Sequence, residues 1–377
     1  MRRRSHGRRC SAERMPARGR IGYADKHPLT AAYMASSIAT GLRSISLNAG
    51  GPLDGVGVTE VNATPEGARS GPAEAFLVPA LVRPNLKVLT GALVTRLLQQ
   101  GTTCLGIELT AGSSVARIMA TRRTLVCMGA CATPQLLMLS GFGPAEQLAP
   151  LGIQVRQDMP MVGSGLQDHV LLSVLFRSRR NIAPLVSNGV STMAYYGGSQ
   201  TAPPDIQVAG MQYPFGSSTV PAGGGYAVIP FLAKPRSRGQ VRLVTADPRV
   251  PLRIDPNYLG DRIDQDNMVA GLDRALEIGA GTSMREFYSS IATDMPLRTR
   301  ADKQAFVAAN AACGLHLVGT CSAGSDPRSS AVDGHFRVRG VEGLSIVDAS
   351  VIPEVPAVNV HASVLTIAQL AAQQLTG

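Results

Sequence analysis

At 377 residues, with 45% hydrophobic and 16% charged residues, the chain is long enough for two domains or one large layered domain with a real core, and its composition excludes a disordered polymer. The net charge of +10 is concentrated in residues 1–20, MRRRSHGRRCSAERMPARGR, which hold eight arginines and one glutamate. That stretch reads as a solvated, disordered basic arm: no aromatic residues interleave it and no basic patch follows, which argues against nucleic acid, and it lacks the apolar core of a secretory signal.

After the arm, residues 28–42 read as helical. NLKVLTGALVTRLLQQ (85–100) alternates apolar and polar residues about Thr90 and Gly91, and CLGIELTA (104–111) is the strand expected to pair with it. TLVCMGACATPQLLMLSGFGPA (124–145) carries no charge and resembles a membrane span. Pro134 and the glycines at 129, 141 and 143 nevertheless cut it into pieces of strand and helix length. The expectation is a buried strand, a turn and a buried helix, with Thr133 as N-cap and Pro134 in the first turn. Six cysteines (Cys10, Cys104, Cys127, Cys131, Cys313 and Cys321) form no C-x-x-C pair, so buried reduced thiols and a cytoplasmic setting are expected.

Farther on, DIQVAGM, YAVIPFLAKP and GQVRLVTADP read as successive strands of an antiparallel sheet. Residues 254–280 read as a turn leading into an amphipathic helix with Met268, Leu272, Ala275 and Leu276 on its core face, and 301–312 as a second helix. The chain closes with the strand GLSIVDAS, a Pro-bounded loop and a buried helix beginning NVHASV. Strands near both ends with a different sheet between them imply an α/β fold in which one domain interrupts another.

Two histidines stand out. His316 lies in the small-residue segment CGLHLVGTC, and His361 where the last loop becomes the last helix. Taken alone, two unrelated core histidines are the ordinary reading. His6, His27, His169 and His335 lie in polar or turn-rich contexts and receive no catalytic role. No H-x-x-x-H or Cys/His cluster suggests a metal, no G-x-S-x-G suggests a hydrolase, and no G-x-G-x-x-G occurs anywhere in the chain.

Several long segments, in order, resemble the glucose–methanol–choline (GMC) oxidoreductases. They are ARSGPAEAFLVPALVRPNLKVLTGALVTRLL (68–98), ATPQLLMLSGFGPAEQLAPLGIQVRQDMPMVGSGLQDH (132–169), AKPRSRGQVRLVTADPRVPLRIDPNYLGD (233–261), HLVGTC (316–321) and VRGVEGLSIVDASVIPEVPAVNVHASVLTIAQLAAQQL (338–375). The resemblance runs over roughly residues 20–377.

The resemblance implies a choline- or alcohol-dehydrogenase-like reaction: FAD-dependent oxidation of an alcohol to a carbonyl, with hydride passing to flavin N5. His316 matches the family's catalytic histidine and His361 the second member of its pair. Val94, Asp348, Ala349 and Ala362 match positions around the FAD. The implied organisation is a basic arm (1–20), an FAD-binding domain (21–169 and 313–377) and a substrate domain (170–312). The electron acceptor, oxygen or a quinone, is left open. A neutral imidazole suits the removal of a hydroxyl proton, and a helix N-terminus at His361 favours the uncharged ring. The family also carries a G-x-G-x-x-G unit ahead of these segments, so the reading here is an incomplete, Rossmann-like FAD domain, with a separately encoded N-terminal half as one conceivable partner. Leu317 stands where a proline is usual, and CSAG (321–324) departs from the family pattern. The alternatives are a non-catalytic remnant without flavin, and hydroxynitrile lyase chemistry on the same scaffold.

Overall fold

The computed structural model describes residues 27–64, 68–184, 188–199 and 201–376, so the basic arm lies outside the described residues. The first helix, Pro28–Ala39, starts at His27, whose ring Nδ1 accepts from Leu29 N at 3.3 Å. Pro28 takes the first helical position, where an N–H has no partner within the helix. This helix buries Leu29 and Tyr33, and the Tyr33 hydroxyl reaches the carbonyls of Met211 (2.7 Å) and Ala227 (3.1 Å).

Those carbonyls belong to an eight-stranded sheet. Its main path runs Gly55–Val58, Val190–Tyr196, Ile206–Met211, Gly225–Leu232, Val174–Ser178 and Tyr288–Ile291, antiparallel at every step. Val170–Leu172 joins Gly225–Leu232 at one side and Ala311–Cys313 at the other. Side chains alternate across a strand, so the two faces differ. Tyr226, Val228 and Leu232 pack with Phe176 and Val208 under the helix Arg262–Gly279, whose Met268, Leu272 and Ala275 are fully buried as the helical spacing predicts. Ala227, Ile229 and Phe231 face the opposite way with Met193, Tyr195 and Ala209. The helix Arg300–Asn310 begins with a reciprocal Thr299–Asp302 capping box.

A second core forms around the helix Gly129–Leu139. It collects the antiparallel strands Ala92–Gln100, Thr103–Ala111 and Ser114–Met119 and a parallel pair, Thr124–Val126 with Leu344–Ile346. The uncharged stretch 124–145 is therefore a strand and a helix, and no described helix is long and apolar enough to cross a membrane.

Several expectations need correction. Residues 28–58, grouped by sequence with 21–169, pack on the eight-stranded sheet, because Leu29, Tyr33 and Val56 are apolar enough to seal that core. GQVR (239–242) leaves the large sheet for a separate one with Ser164–Leu166 and Arg253–Asp255. Thr133 does not cap the helix, which starts four residues earlier and carries Pro134 inside it. The proline removes the N–H that the Ala130 carbonyl would accept. Thr320, fully buried and 190 residues away, supplies a hydroxyl to that carbonyl at 2.6 Å. Thr320→Val strands the carbonyl and should cost about 1–3 kcal/mol of stability, read as a lower urea midpoint with an unchanged slope.

The final helix, His361–Thr376, is not buried as a whole. Of its described side chains only Ala371 is fully covered, because contact is limited to a stripe through Val364 and Ile367 onto Val318, Ile352 and Val355. Among the described cysteines, all free, Cys104 and Cys321 are buried, Cys131 and Cys313 are half-buried, and Cys127 is exposed past the end of a short strand.

Candidate active site

The cleft-facing side of the large sheet is an apolar floor of Leu171, Met193, Tyr195, Ile229 and Phe231. Above it lies a cleft of about 1620 Å³, lined at one end by His316, Asn359, His361 and Ala362. Residues from the 313–316 loop and from the head of the last helix thus meet, although the two histidines are 45 positions apart.

The 313–316 loop is held by one buried carboxylate. Asp168 accepts hydrogen bonds from His316 N (2.6 Å), Gly314 N (3.1 Å), Cys313 Sγ (3.0 Å) and the Tyr258 hydroxyl (2.5 Å). Leu315 is driven into the left-handed region (φ 62°) with its side chain 80% exposed, an arrangement that costs an ordinary residue about 1–2 kcal/mol. Gly314 is obligatory there, because a Cβ would lie 2.2 Å from the His169 carbonyl oxygen. The loop is kept in this shape so that His316 points into the cleft.

His316 is not bonded directly to His361. Its Nδ1 lies 2.9 Å from Nδ1 of His169, with the rings edge to face at 78°, and its Nε2 lies 3.1 Å from Asn359 Nδ2. The sequence placed His169 in a polar, turn-rich context and gave it no catalytic role; the structure corrects the context, for the ring is fully buried and is the immediate neighbour of His316. The available signal was LQDH running directly into the apolar strand VLL, which predicts a buried imidazole that needs partners. Burial lowers the His316 pKa below the ordinary histidine value, with Asp168 opposing. Burial first, and His316 second, push His169 down to about 4.

Ala362 lies beside His361 in the cleft wall. Asp348 and Ala349 lie just past the carboxyl end of the strand Leu344–Ile346. The Asp348 carboxylate is used internally, accepting from Gly129 N (2.9 Å), Thr133 Oγ1 (2.6 Å), Ser350 N (2.8 Å) and Ser350 Oγ (2.6 Å). Val94 sits in mid-strand opposite Leu109, half-buried on the second core and outside the lining of the His316 cleft.

Two family models described as GMC oxidoreductase match residues 9–171 and 235–368. A GMC-type oxidoreductase of Mycobacterium tuberculosis, itself uncharacterised, is 34% identical over 91% of this chain and 69% of its own length. An alcohol dehydrogenase (acceptor) of Pseudomonas putida is 31% identical over 93% of this chain and 68% of its own. The crystal structure of pyridoxine 4-oxidase from Mesorbium loti superposes with a TM-score of 0.87 at 30% identity, covering 93% of this chain and 70% of that one. With its α/β architecture, its matched segments in order and relatives at this level of identity, the chain belongs to the GMC oxidoreductase family.

Proposed function

We propose that the protein oxidises an alcohol to a carbonyl, with FAD as cofactor, His316 as the base that takes the hydroxyl proton and His361 as a second ring on the substrate oxygen. The observation that carries this reading is the meeting of His316 Nε2 and the head of the final helix in one apolar-floored cleft.

The residues fit a flavin. Among the described residues no acceptor stands opposite the backbone N–H groups of His361, Ala362 and Ser363 at the first turn of the sixteen-residue final helix. Such an open N-terminus favours negative charge. Asp348 and Ala349 follow the carboxyl end of a parallel strand, the usual ligand position of an α/β sheet. With the Asp348 carboxylate already bonded, contact there falls to the backbone of 348–349. Ala362 would lie beside the ring and Val94 along the adenine. When bound, FAD supplies the acceptor for the hydride.

The chain's own residues handle the proton. The floor of Met193, Tyr195, Ile229 and Phe231 takes the apolar body of the alcohol and excludes water. Asn359 Nδ2 marks where a donor approaches His316 Nε2, and a substrate hydroxyl would take that place. The lowered pKa of His316 keeps its ring neutral, able to accept, at neutral pH. In the accompanying division of labour, residues 170–312 with 28–58 bind substrate, and the remainder binds FAD.

Titration of the purified protein with FAD, followed by anaerobic benzyl alcohol, tests the reading. Bound flavin that bleaches on addition of alcohol is the expected result. Failure to bind FAD, either alone or with a fragment carrying a G-x-G-x-x-G unit, would favour the remnant alternative. Cyanohydrin cleavage without flavin reduction would favour the lyase.

A further inference from the structure

We propose that His169 is a positioning residue that fixes the tautomer of His316, leaving the lone pair of His316 on Nε2, the nitrogen that faces the cleft. This rests on the preceding reading only in taking His316 as the base; the tautomer itself follows from the hydrogen bonds.

The argument starts at the far side of His169. Its Nε2 lies 2.9 Å from the Pro356 carbonyl and 3.1 Å from the Ala233 carbonyl. Carbonyl oxygens only accept, so Nε2 carries the hydrogen. A neutral imidazole has one N–H, and Nδ1 of His169 is then a bare acceptor. His316 Nδ1 stands 2.9 Å from it. Two bare nitrogens at that distance would repel, so His316 Nδ1 carries the hydrogen and His316 Nε2 is left with its lone pair. The other side of the site agrees. Gln207 Nε2 donates to Asn359 Oδ1 at 3.3 Å, which turns the Asn359 amide N–H toward His316 Nε2 at 3.1 Å.

The segment that carries the Pro356 carbonyl is itself fixed. Gln167 donates through Nε2 to the Pro353 carbonyl (2.9 Å) and accepts at Oε1 from Val355 N (3.1 Å), which holds the 353–356 turn. His169 is fully buried, and its pKa of about 4 keeps it uncharged beside a ring that must gain a proton. When the substrate O–H breaks and an N–H forms at His316 Nε2, the resulting imidazolium donates its Nδ1–H to His169 in a charge-assisted bond. His169 does not take the proton onward, since a second N–H on that ring would charge a group buried against carbonyls. The ionisable groups nearby are Asp168, with Tyr258 and Cys313 bonded to it, and His361 in the same cleft; the Asp168 hydrogen bonds go to backbone N–H groups and to these neighbours and to neither ring nitrogen.

Long-range proton–nitrogen correlation on protein labelled with nitrogen-15 histidine tests the proposal, with His316 assigned by its loss in His316→Gln. The expected spectrum shows His316 protonated at Nδ1 and bare at Nε2, and His169 the reverse. His169→Leu removes the acceptor, and His316 should then populate the Nε2–H form, with kcat in the FAD-loaded protein falling about 10²-fold or more at little-changed KM. His169→Asn places an amide oxygen near the lost Nδ1 and should restore both the Nδ1–H signal and most of kcat. An Nε2–H signal for His316 in the unsubstituted protein overturns the proposal, even if the Leu variant fails to fold. The expected tautomers in a protein that never oxidises an alcohol would leave the lock standing and sink the assigned reaction instead.

Discussion

His316→Ala should lower kcat/KM for alcohol oxidation about 10²–10⁴-fold, the usual contribution of a positioned base, while flavin content stays near that of the unsubstituted protein and the chain still folds. The fold should survive the change because the loop is also held through the His316 backbone N–H, bonded to Asp168 at 2.6 Å, although losing the ring leaves the buried His169 Nδ1 without its partner and should cost about 1–3 kcal/mol. The unsubstituted protein supplies a second check. Protonated His316 cannot accept a proton, so rate should rise with pH through the folded-state pKa of the ring. Burial lowers that pKa, so the acid limb should fall below the ordinary histidine value of about 6.5. A limb above that value, or full turnover in His316→Ala, would remove His316 from the role of base.

Asp348→Ala should be among the most destabilising single substitutions, by about 3–5 kcal/mol. The carboxylate is 5% exposed and ties two pieces of chain together: the helix Gly129–Leu139, through the Gly129 N–H and the Thr133 hydroxyl, and the turn at Ser350. Removing it leaves the Gly129 and Ser350 N–H groups and two hydroxyls without their acceptor in a buried site. Asp348→Asn keeps the shape and one oxygen and should cost roughly half as much. Chemical denaturation of the FAD-free protein separates this structural work from any contact with the cofactor. A stability unchanged in Asp348→Ala, with only FAD affinity reduced, would show that the residue serves the flavin and not the fold.

The sequence was most legible where structure is local. The helices at 28–39, 262–279 and 300–310 follow from apolar spacing and from caps within a few residues. The hairpin of 92–100 with 103–111 follows from alternation and a two-residue turn. Legibility failed at Pro134, where a general rule about first-turn prolines was overruled by a hydroxyl 190 residues away. It failed again at His169, whose turn-rich context hid a buried ring 147 residues from its partner.

What the sequence alone determined is the main helices and some of the strands, the family, and the candidacy of His316 and His361, since motif order and short-range periodicity are written along the chain; most strands of the large sheet, among them 55–58, 174–178, 190–196 and 288–291, were not read from it. What only the tertiary structure decided is who touches whom. Strand pairing set the apolar floor, moved residues 28–58 onto the large sheet, and placed His169 and Asn359 on either side of His316. The physical reason is that a hydrogen-bond partner is chosen by distance in space. Across loops this long, that distance is fixed by packing of the whole sheet and not by spacing in the chain.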